Sequence, residues 1–205
     1  MAHSPTHLSQ NVSRETFSHL EGYVGLLLKW NAKINLIGPT TESDVWSRHV
    51  EDALQLLPLL PPTATSLADL GSGAGLPGMI LAIARPDIAV TLVEIDQRKS
   101  AFLQEVKRAL ALDHVTIEAK DLHTLTARFD VVTARALAPL KELLAMAYPL
   151  LQPGAICLFP KGENFANELA ATGNDWSYQH QLFPSLTNKK SSIISITELS
   201  KTHTV

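Results

Sequence analysis

Residues 66 to 79 read Ser-Leu-Ala-Asp-Leu-Gly-Ser-Gly-Ala-Gly-Leu-Pro-Gly-Met. With no Cβ in the way, the glycines at 71, 73, 75 and 78 let the backbone come close to a bound group. From Gly73 the spacing matches G-x-G-x-x-G, and Glu94 follows about twenty residues later, as a dinucleotide site requires. Asp69 opposes that reading. It places a carboxylate two residues before Gly71, where a dinucleotide brings its pyrophosphate, and two anions there repel. A ligand carrying a sulfonium and an ammonium group but no phosphate gains from the same carboxylate, and S-adenosylmethionine is such a ligand. The glycines then admit its methionine part, Glu94 accepts hydrogen bonds from the ribose hydroxyls, and a polar residue within Lys120 to His123 reads the adenine edge. A P-loop is excluded, since no Gly-Lys-Ser or Gly-Lys-Thr follows the glycines. The plain alternative is a tight strand-to-helix corner with Pro77 at the first helical position. Four glycines framed by Asp69 and Glu94 favour a nucleoside cofactor.

The elements that must position these residues show as alternating patterns. Short apolar runs predict strands over Ser66 to Leu70, Ala89 to Glu94, Val115 to Glu118, Phe129 to Thr133, Ala155 to Phe159 and Ser192 to Thr197. Helical periodicity fits Pro77 to Ala84, Gln97 to Leu110, Pro139 to Leu150 and Asn164 to Ala171. Such alternation predicts an α/β fold with a mostly parallel twisted sheet and helices on both faces. Ligands then bind beyond the carboxyl ends of the strands, at positions 69 to 78, 94 to 98, 119 to 123, 134 to 139 and 160 to 162.

Two amphipathic helices precede the sheet. One carries Phe17, Leu20, Val24, Leu27 and Leu28 after a Ser13 cap, and the other carries Trp46, His49, Val50, Ala53, Leu54 and Leu57 after Thr41, with Asp44 completing a capping box. Pro58, Pro61 and Pro62 end the second, so an N-terminal helical cap over residues 1–60 and a main domain over 61–205 are expected.

Composition narrows the partners. Seventeen basic against twenty acidic residues give a net charge of -3, so any RNA contact needs a local basic patch. The single cysteine, Cys157, lies in an apolar strand and has no second thiol for a disulfide or a shared metal site. No apolar run reaches the length of a membrane span, and Met1 to Gln10 lacks the regions of a secretory signal. A cytoplasmic monomer without metal is the expectation.

Further motifs resemble the bacterial small-subunit (16S) rRNA guanine-N7 methyltransferases, also called glucose-inhibited division protein B, over roughly residues 20 to 200. They are Trp30-Asn31-Ala32-Lys33-Ile34-Asn35-Leu36, Arg48-His49-Val50-Glu51-Asp52-Ala53-Leu54, the Asp69 to Gly78 loop, Ala134-Arg135-Ala136-Leu137-Ala138-Pro139-Leu140 and Lys161-Gly162. The resemblance implies a class I, Rossmann-like methyltransferase fold, S-adenosylmethionine as cofactor, and 16S rRNA or the small ribosomal subunit as partner. It carries cofactor contacts to Gly71, Leu76, the Leu122-His123 pair and Arg135, with Glu94 on the ribose. Together the expected cofactor residues are Asp69, Gly71, Ser72, Gly73, Gly75, Leu76, Glu94, Asp121, Leu122, His123 and Arg135. Two departures stand out: Asn35-Leu36-Ile37 replaces an asparagine-leucine-threonine run, and Lys120-Asp121-Leu122-His123 lacks the glutamate usual after the third strand, where Asp121 offers the carboxylate.

Guanine N7 presents a lone pair at neutral pH, so methyl transfer needs in-line positioning and no proton removal. The chain fits that economy. It has no Asn/Asp-Pro-Pro-Tyr/Phe run for exocyclic amines, and its one cysteine is strand-buried. Arg135, at a strand end, is the expected positioning residue. His49, on an apolar helix face, reads as a satisfied structural histidine, and Arg48 and Asp52 read as an i, i+4 pair. Two readings compete for Lys29, Lys33, Lys161, Lys189 and Lys190: ordinary solvated lysines, or a basic rim for RNA phosphates. Two other classes compete with the enzyme: a non-catalytic ribosome-assembly RNA-binding factor and an NAD-dependent oxidoreductase.

Overall fold

The computed structural model describes residues 12–202. The stretch Met1 to Gln10, read above for a leader, lies outside them. The chain opens with α1 (Arg14–Ile34), whose first turn is capped by the Ser13 side chain accepting from the Thr16 amide. Asn35 ends it in the left-handed region, and the Asn31 side chain accepts from the Ile37 amide at 2.8 Å. The two asparagines thus shape the exit from α1. Trp46–Glu51 forms a π-helical segment that continues into the short α2 (Asp52–Leu54). Thr41 does not cap it as expected; its hydroxyl donates to the Gly38 carbonyl and bonds His49.

Seven strands follow: β1 (Ser66–Leu70), β2 (Ala89–Val93), β3 (Val115–Glu118), β4 (Phe129–Ala134), β5 (Leu151–Lys161), β6 (Trp176–Pro184) and β7 (Ser192–Lys201). They form one sheet in the order β3-β2-β1-β4-β5-β7-β6, parallel except that β7 runs against β5 and β6. Helices α3 (Gly78–Ala84), α4 (Gln97–Ala109), α5 (Leu140–Ala147) and α6 (Phe165–Ala170) complete the fold. Successive strand residues face opposite cores: Leu67, Val131 and Leu158 pack with α1, α3 and α4, while Ala68, Val132 and Cys157 pack with α5. Burial on both faces explains why these strands are continuous apolar runs. The helical cap shares the first core, since Leu20, Tyr23, Leu27 and Leu54 cluster there with Leu67 and Met79.

Strand β6 was not expected from the sequence. As an edge strand it is largely exposed, and beyond Trp176 and Tyr178 the run Gln-His-Gln shows no apolar alternation. Its pairing with β7, from Trp176 opposite Lys201 to Pro184 opposite Ser192, forms a hairpin whose tip rejoins the carboxyl end of β5.

Candidate functional site: a glycine-lined cleft beside Arg135

The loop after β1 is held by its own amides. Ser72 N–H donates to the Val93 carbonyl at 3.0 Å, and the Gly75 and Leu76 amides donate to the Ser72 carbonyl. Gly73 N–H donates to Glu94 Oε2 at 2.8 Å, while Glu94 Oε1 takes the Asp96 amide at 2.8 Å. Tyr23, from α1, donates its hydroxyl to the Ala74 carbonyl at 2.7 Å, tying the cap to the loop. The four glycines divide by role. A Cβ at Gly78 would lie 2.5 Å from both Asp69 Cβ and a Leu92 methyl, so this glycine lets α3 pack onto the sheet; one at Gly75 would lie 2.6 Å from Met79 Cβ and 3.0 Å from a Leu103 methyl, so it lets the loop run against α3 and α4; one at Gly71 would lie 2.6 Å from a Leu137 methyl. At Gly73, with φ +56, a Cβ would meet nothing nearer than the Gly71 carbonyl at 3.9 Å. It would project into a cleft.

That cleft, of about 270 Å³, is lined by Gly71, Gly73, Glu94, Asp121 and Leu122, with Ile95, Lys99, Ala136 and Leu137. Glu94 forms its carboxylate wall, and Ile95, 66% exposed, and Leu122 supply apolar surface. Asp121 caps the turn that carries Leu122, accepting from the His123 amide at 2.9 Å. Asp69 lies beneath the loop, fully buried and outside the cleft lining. Its Oδ1 accepts from Thr133 at 2.9 Å, and its Oδ2 is the one buried side-chain oxygen without a partner among the described residues. Burial pushes the carboxyl up to about 6, against the hydrogen bond from Thr133.

Arg135 directly follows β4 and precedes Ala136, whose φ is +54. Its guanidinium donates to Asp52 Oδ2 at 3.0 Å and to His49 Nδ1 at 3.2 Å, with the Arg48 carbonyl at 3.4 Å. With Nδ1 accepting, His49 donates from Nε2 to Thr41 Oγ1 at 2.9 Å. Burial, and then the charge of Arg135, lower its pKa to about 4, so the ring is neutral at pH 7. Asp52, Gln55, Arg135 and Lys161 line a second cavity of about 110 Å³, together with Ser185 and Ser191 of the β6–β7 hairpin.

The family profile described as rRNA small subunit methyltransferase G (GidB) matches residues 16–194. This chain belongs to that family. It is 46% identical over 191 residues to the ribosomal RNA small subunit methyltransferase G of Cereibacter sphaeroides, covering 91% of each chain. To the protein of that name from a Methylobacterium species it is 48% identical over 196 residues, covering 92% of each. Among solved structures, the O-methyltransferase TomG of Streptomyces achromogenes, in complex with SAM, is similar with a TM-score of 0.59 at 15% identity, over 85% of this chain and 89% of that one. That likeness shows the fold, the class I, Rossmann-like methyltransferase architecture expected from the sequence.

In this GidB chain the expected cofactor residues do not all meet. Gly71, Gly73, Glu94, Asp121 and Leu122 share the cleft. Ser72, Gly75, Leu76 and Asp69 support it from below, each buried, and His123 is exposed beside it without lining it. Arg135 faces the cap and the second cavity. Ile95 and Ala136 fall within the expected strand-end stretches 94 to 98 and 134 to 139 but were not singled out there; the available signal for Ile95 was an apolar residue placed directly after Glu94, outside the buried run of β2. The Arg48–Asp52 pairing expected on one helix face is replaced by Asp52–Arg135. Of the five lysines, Lys29, Lys33, Lys189 and Lys190 are exposed. Lys161 is not a rim residue: its side chain is 7% exposed, and its ammonium donates to Glu168 at 2.6 Å and to the Ala138 carbonyl at 2.7 Å. Glu168 also accepts the Leu140 amide, so Lys161 fastens α6 to the start of α5. No group of metal-ligating side chains occurs, and no helix is long and apolar enough to cross a membrane, among the described residues.

Proposed function

We propose that this chain is the S-adenosylmethionine-dependent enzyme that methylates N7 of one guanosine in 16S rRNA, acting in the cytoplasm. The observation that carries the cofactor is the Gly73–Glu94 hydrogen bond. A pyrophosphate needs free amides at such a loop. Here the amides of Ser72, Gly73, Gly75 and Leu76 are given to protein oxygens, and one of those oxygens is a carboxylate. The arrangement disfavours a nicotinamide dinucleotide and suits a nucleoside without phosphate. Glu94 keeps lone pairs for ribose hydroxyls, Gly73 leaves room at the backbone, and Ile95 and Leu122 offer apolar faces to adenine.

When bound, S-adenosylmethionine supplies the methyl group from its sulfonium. The residues of this chain then have to hold acceptor and donor in line. Arg135 is fixed on three sides by the cap, and its neighbour Ala136 lines the cofactor cleft, so the acceptor edge of the sheet and the cleft floor are consecutive residues. His49 accepts from Arg135 and is committed to Thr41, which suits a reaction without a general base. Cys157 is unsuited to nucleophilic attack, being fully buried in β5 with its thiol pushed up to about 12.

The test is incubation of the protein with small-subunit rRNA, and separately with small subunits, in the presence of methyl-labelled S-adenosylmethionine, followed by nucleoside analysis. Label in 7-methylguanosine at a single position is expected. RNA bound but unlabelled would favour the assembly-factor reading, and label on another atom would overturn the N7 assignment.

A further inference from the structure

The tip of the β6–β7 hairpin, residues 185 to 191, stands at the carboxyl edge of the sheet, because Ser192 pairs with Lys161 at the end of β5. Its backbone is locked. Ser185 N–H donates to the Ser191 carbonyl at 3.0 Å, and Ser185 Oγ accepts the Thr187 and Asn188 amides at 3.3 Å. It is also bolted to the cap: the Leu186 amide donates to Gln55 Oε1 at 2.8 Å, and Thr187 Oγ1 donates to Asp52 Oδ1 at 2.7 Å. Asp52 is the carboxylate that holds Arg135, so the tip and Arg135 share one support. On this fixed backbone the Leu186 side chain is 73% exposed, the most of any large apolar residue described. Lys189 and Lys190 follow it, both exposed, with Lys190 in a solvent-exposed pair with Glu163 at 3.1 Å.

A guanine N7 inside an A-form helix faces a deep, narrow groove that side chains do not reach. Bringing it into line with a methyl donor held beyond the sheet edge requires the base to leave its stack. Proteins that open a base step insert an apolar side chain, leucine among them. Leu186 has that chemistry, projects from an immobilised backbone at the rim of the cavity containing Arg135, and lies beside two cations suited to phosphates. We propose that Leu186 is a wedge that enters the rRNA stack as the target guanosine leaves it, with Lys189 and Lys190 on the adjoining phosphates. The inference rests on the rRNA-guanosine reading above.

The test compares wild type, Leu186→Ala and Leu186→Met in single-turnover transfer on an rRNA fragment spanning the methylated position. A second fragment carries an abasic nucleotide beside that guanosine, which removes most of the cost of unstacking. On the intact fragment Leu186→Ala should be slower by about tenfold or more, since the wedge offsets the cost of opening the step. On the abasic fragment it should lie within about twofold of wild type, and Leu186→Met should retain most of the rate on both. In parallel, 2-aminopurine placed next to the guanosine should brighten on binding wild type and not Leu186→Ala, a readout independent of transfer. Equal losses on both fragments, or unchanged rate and fluorescence in Leu186→Ala, would overturn the wedge while leaving the methyltransferase reading intact. A wild-type protein that neither methylates rRNA nor brightens the probe would overturn both.

Discussion

Arg135 and Asp52, 83 residues apart in sequence, meet at 3.0 Å with side chains 21% and 18% exposed. This pair joins the end of β4 to the helical cap, and Asp52 simultaneously takes Thr187 and Gln55. Hydrogen bonds between charged groups in such partial burial contribute about 1.5–3 kcal/mol, and losing one partner strands the other. Asp52→Asn should therefore lower unfolding stability by about 1–2 kcal/mol, and Arg135→Ala should lower the transfer rate strongly. Because both act on one joint, the double variant should be less impaired than the sum, with a coupling of about 0.5–3 kcal/mol. Denaturant unfolding and single-turnover rates on the four proteins measure it. Additive losses would show that the pair is not the joint between cap and site.

The glycines separate into two predictions. Gly73→Val places a branched side chain in the cleft and should abolish the rise in melting temperature with S-adenosylmethionine or its demethylated product, which at 100 times the dissociation constant is worth about 2.7 kcal/mol. NADH should give no rise with the wild type. Gly78→Ala instead drives a Cβ to 2.5 Å from Asp69 and Leu92 and should destabilise the free protein by about 1–3 kcal/mol. If Gly78→Ala leaves the melting temperature of the free protein unchanged, the packing role assigned to that glycine is wrong.

What the sequence made legible follows from where burial is symmetric. Strands covered on both faces, such as β1 and β4, are buried along nearly their whole length and mostly apolar, so their runs appear at nearly the observed limits. Edge strand β6 carries no such demand and left no pattern. That Gly71, Gly73 and Glu94 meet at one cleft was readable because strand-end placement is local to the loop. The partners of Arg135 and Lys161 were not, since each depends on a carboxylate delivered by another element, Asp52 from the cap and Glu168 from α6. Helical spacing offered Arg48 as the partner of Asp52, and the better-buried Arg135 takes it.

The lysines should divide by burial. Removing Lys189 or Lys190 should reduce the slope of log K against log salt for RNA binding by about one unit per phosphate contact and leave the melting temperature unchanged. Lys161→Ala leaves Glu168 half-buried and unpaired beside the Leu140 amide, so it should destabilise the fold instead. Salt titrations of binding together with thermal melts distinguish these effects. A changed slope with unchanged stability in Lys161→Ala would place that ammonium on the RNA.

Two buried groups oppose each other in acid. Asp69, raised from 3.8 to about 6, contributes stability that is present below its unfolded pKa and is lost as pH rises through 6. His49, lowered from 6.5 to about 4, contributes stability that is present above 6.5 and is lost as pH falls through 4. Between pH 4 and 6.5 the slopes have opposite sign, so the wild type should show a muted dependence there. Asp69→Asn should gain on wild type as pH rises from 4 to 7, and His49→Gln should gain as pH falls from 7 to 4. Chemical denaturation across that range tests both; parallel curves for either variant and wild type would mean that the corresponding side chain titrates normally in the folded protein.

The transfer step should show no such titration. With N7 as acceptor there is no proton to remove, and the imidazole nearest Arg135 is already neutral and engaged with Thr41. Single-turnover rates on saturating rRNA should therefore be nearly flat between about pH 6.5 and 8.5. Replacing His123, exposed in the turn that Asp121 caps, should not cost the roughly hundredfold to ten-thousandfold expected for loss of a general base. Replacing His49 should act through Arg135, lowering the rate by the same factor at every pH, because misplacement alters the in-line geometry and not a proton inventory. Arg135→Ala should behave alike, and its partition between cofactor affinity and transfer rate reports which partner the guanidinium aligns. A rate that climbs tenfold per pH unit, and loses that climb when a single histidine or aspartate is replaced, would show a proton leaving the acceptor and would exclude N7.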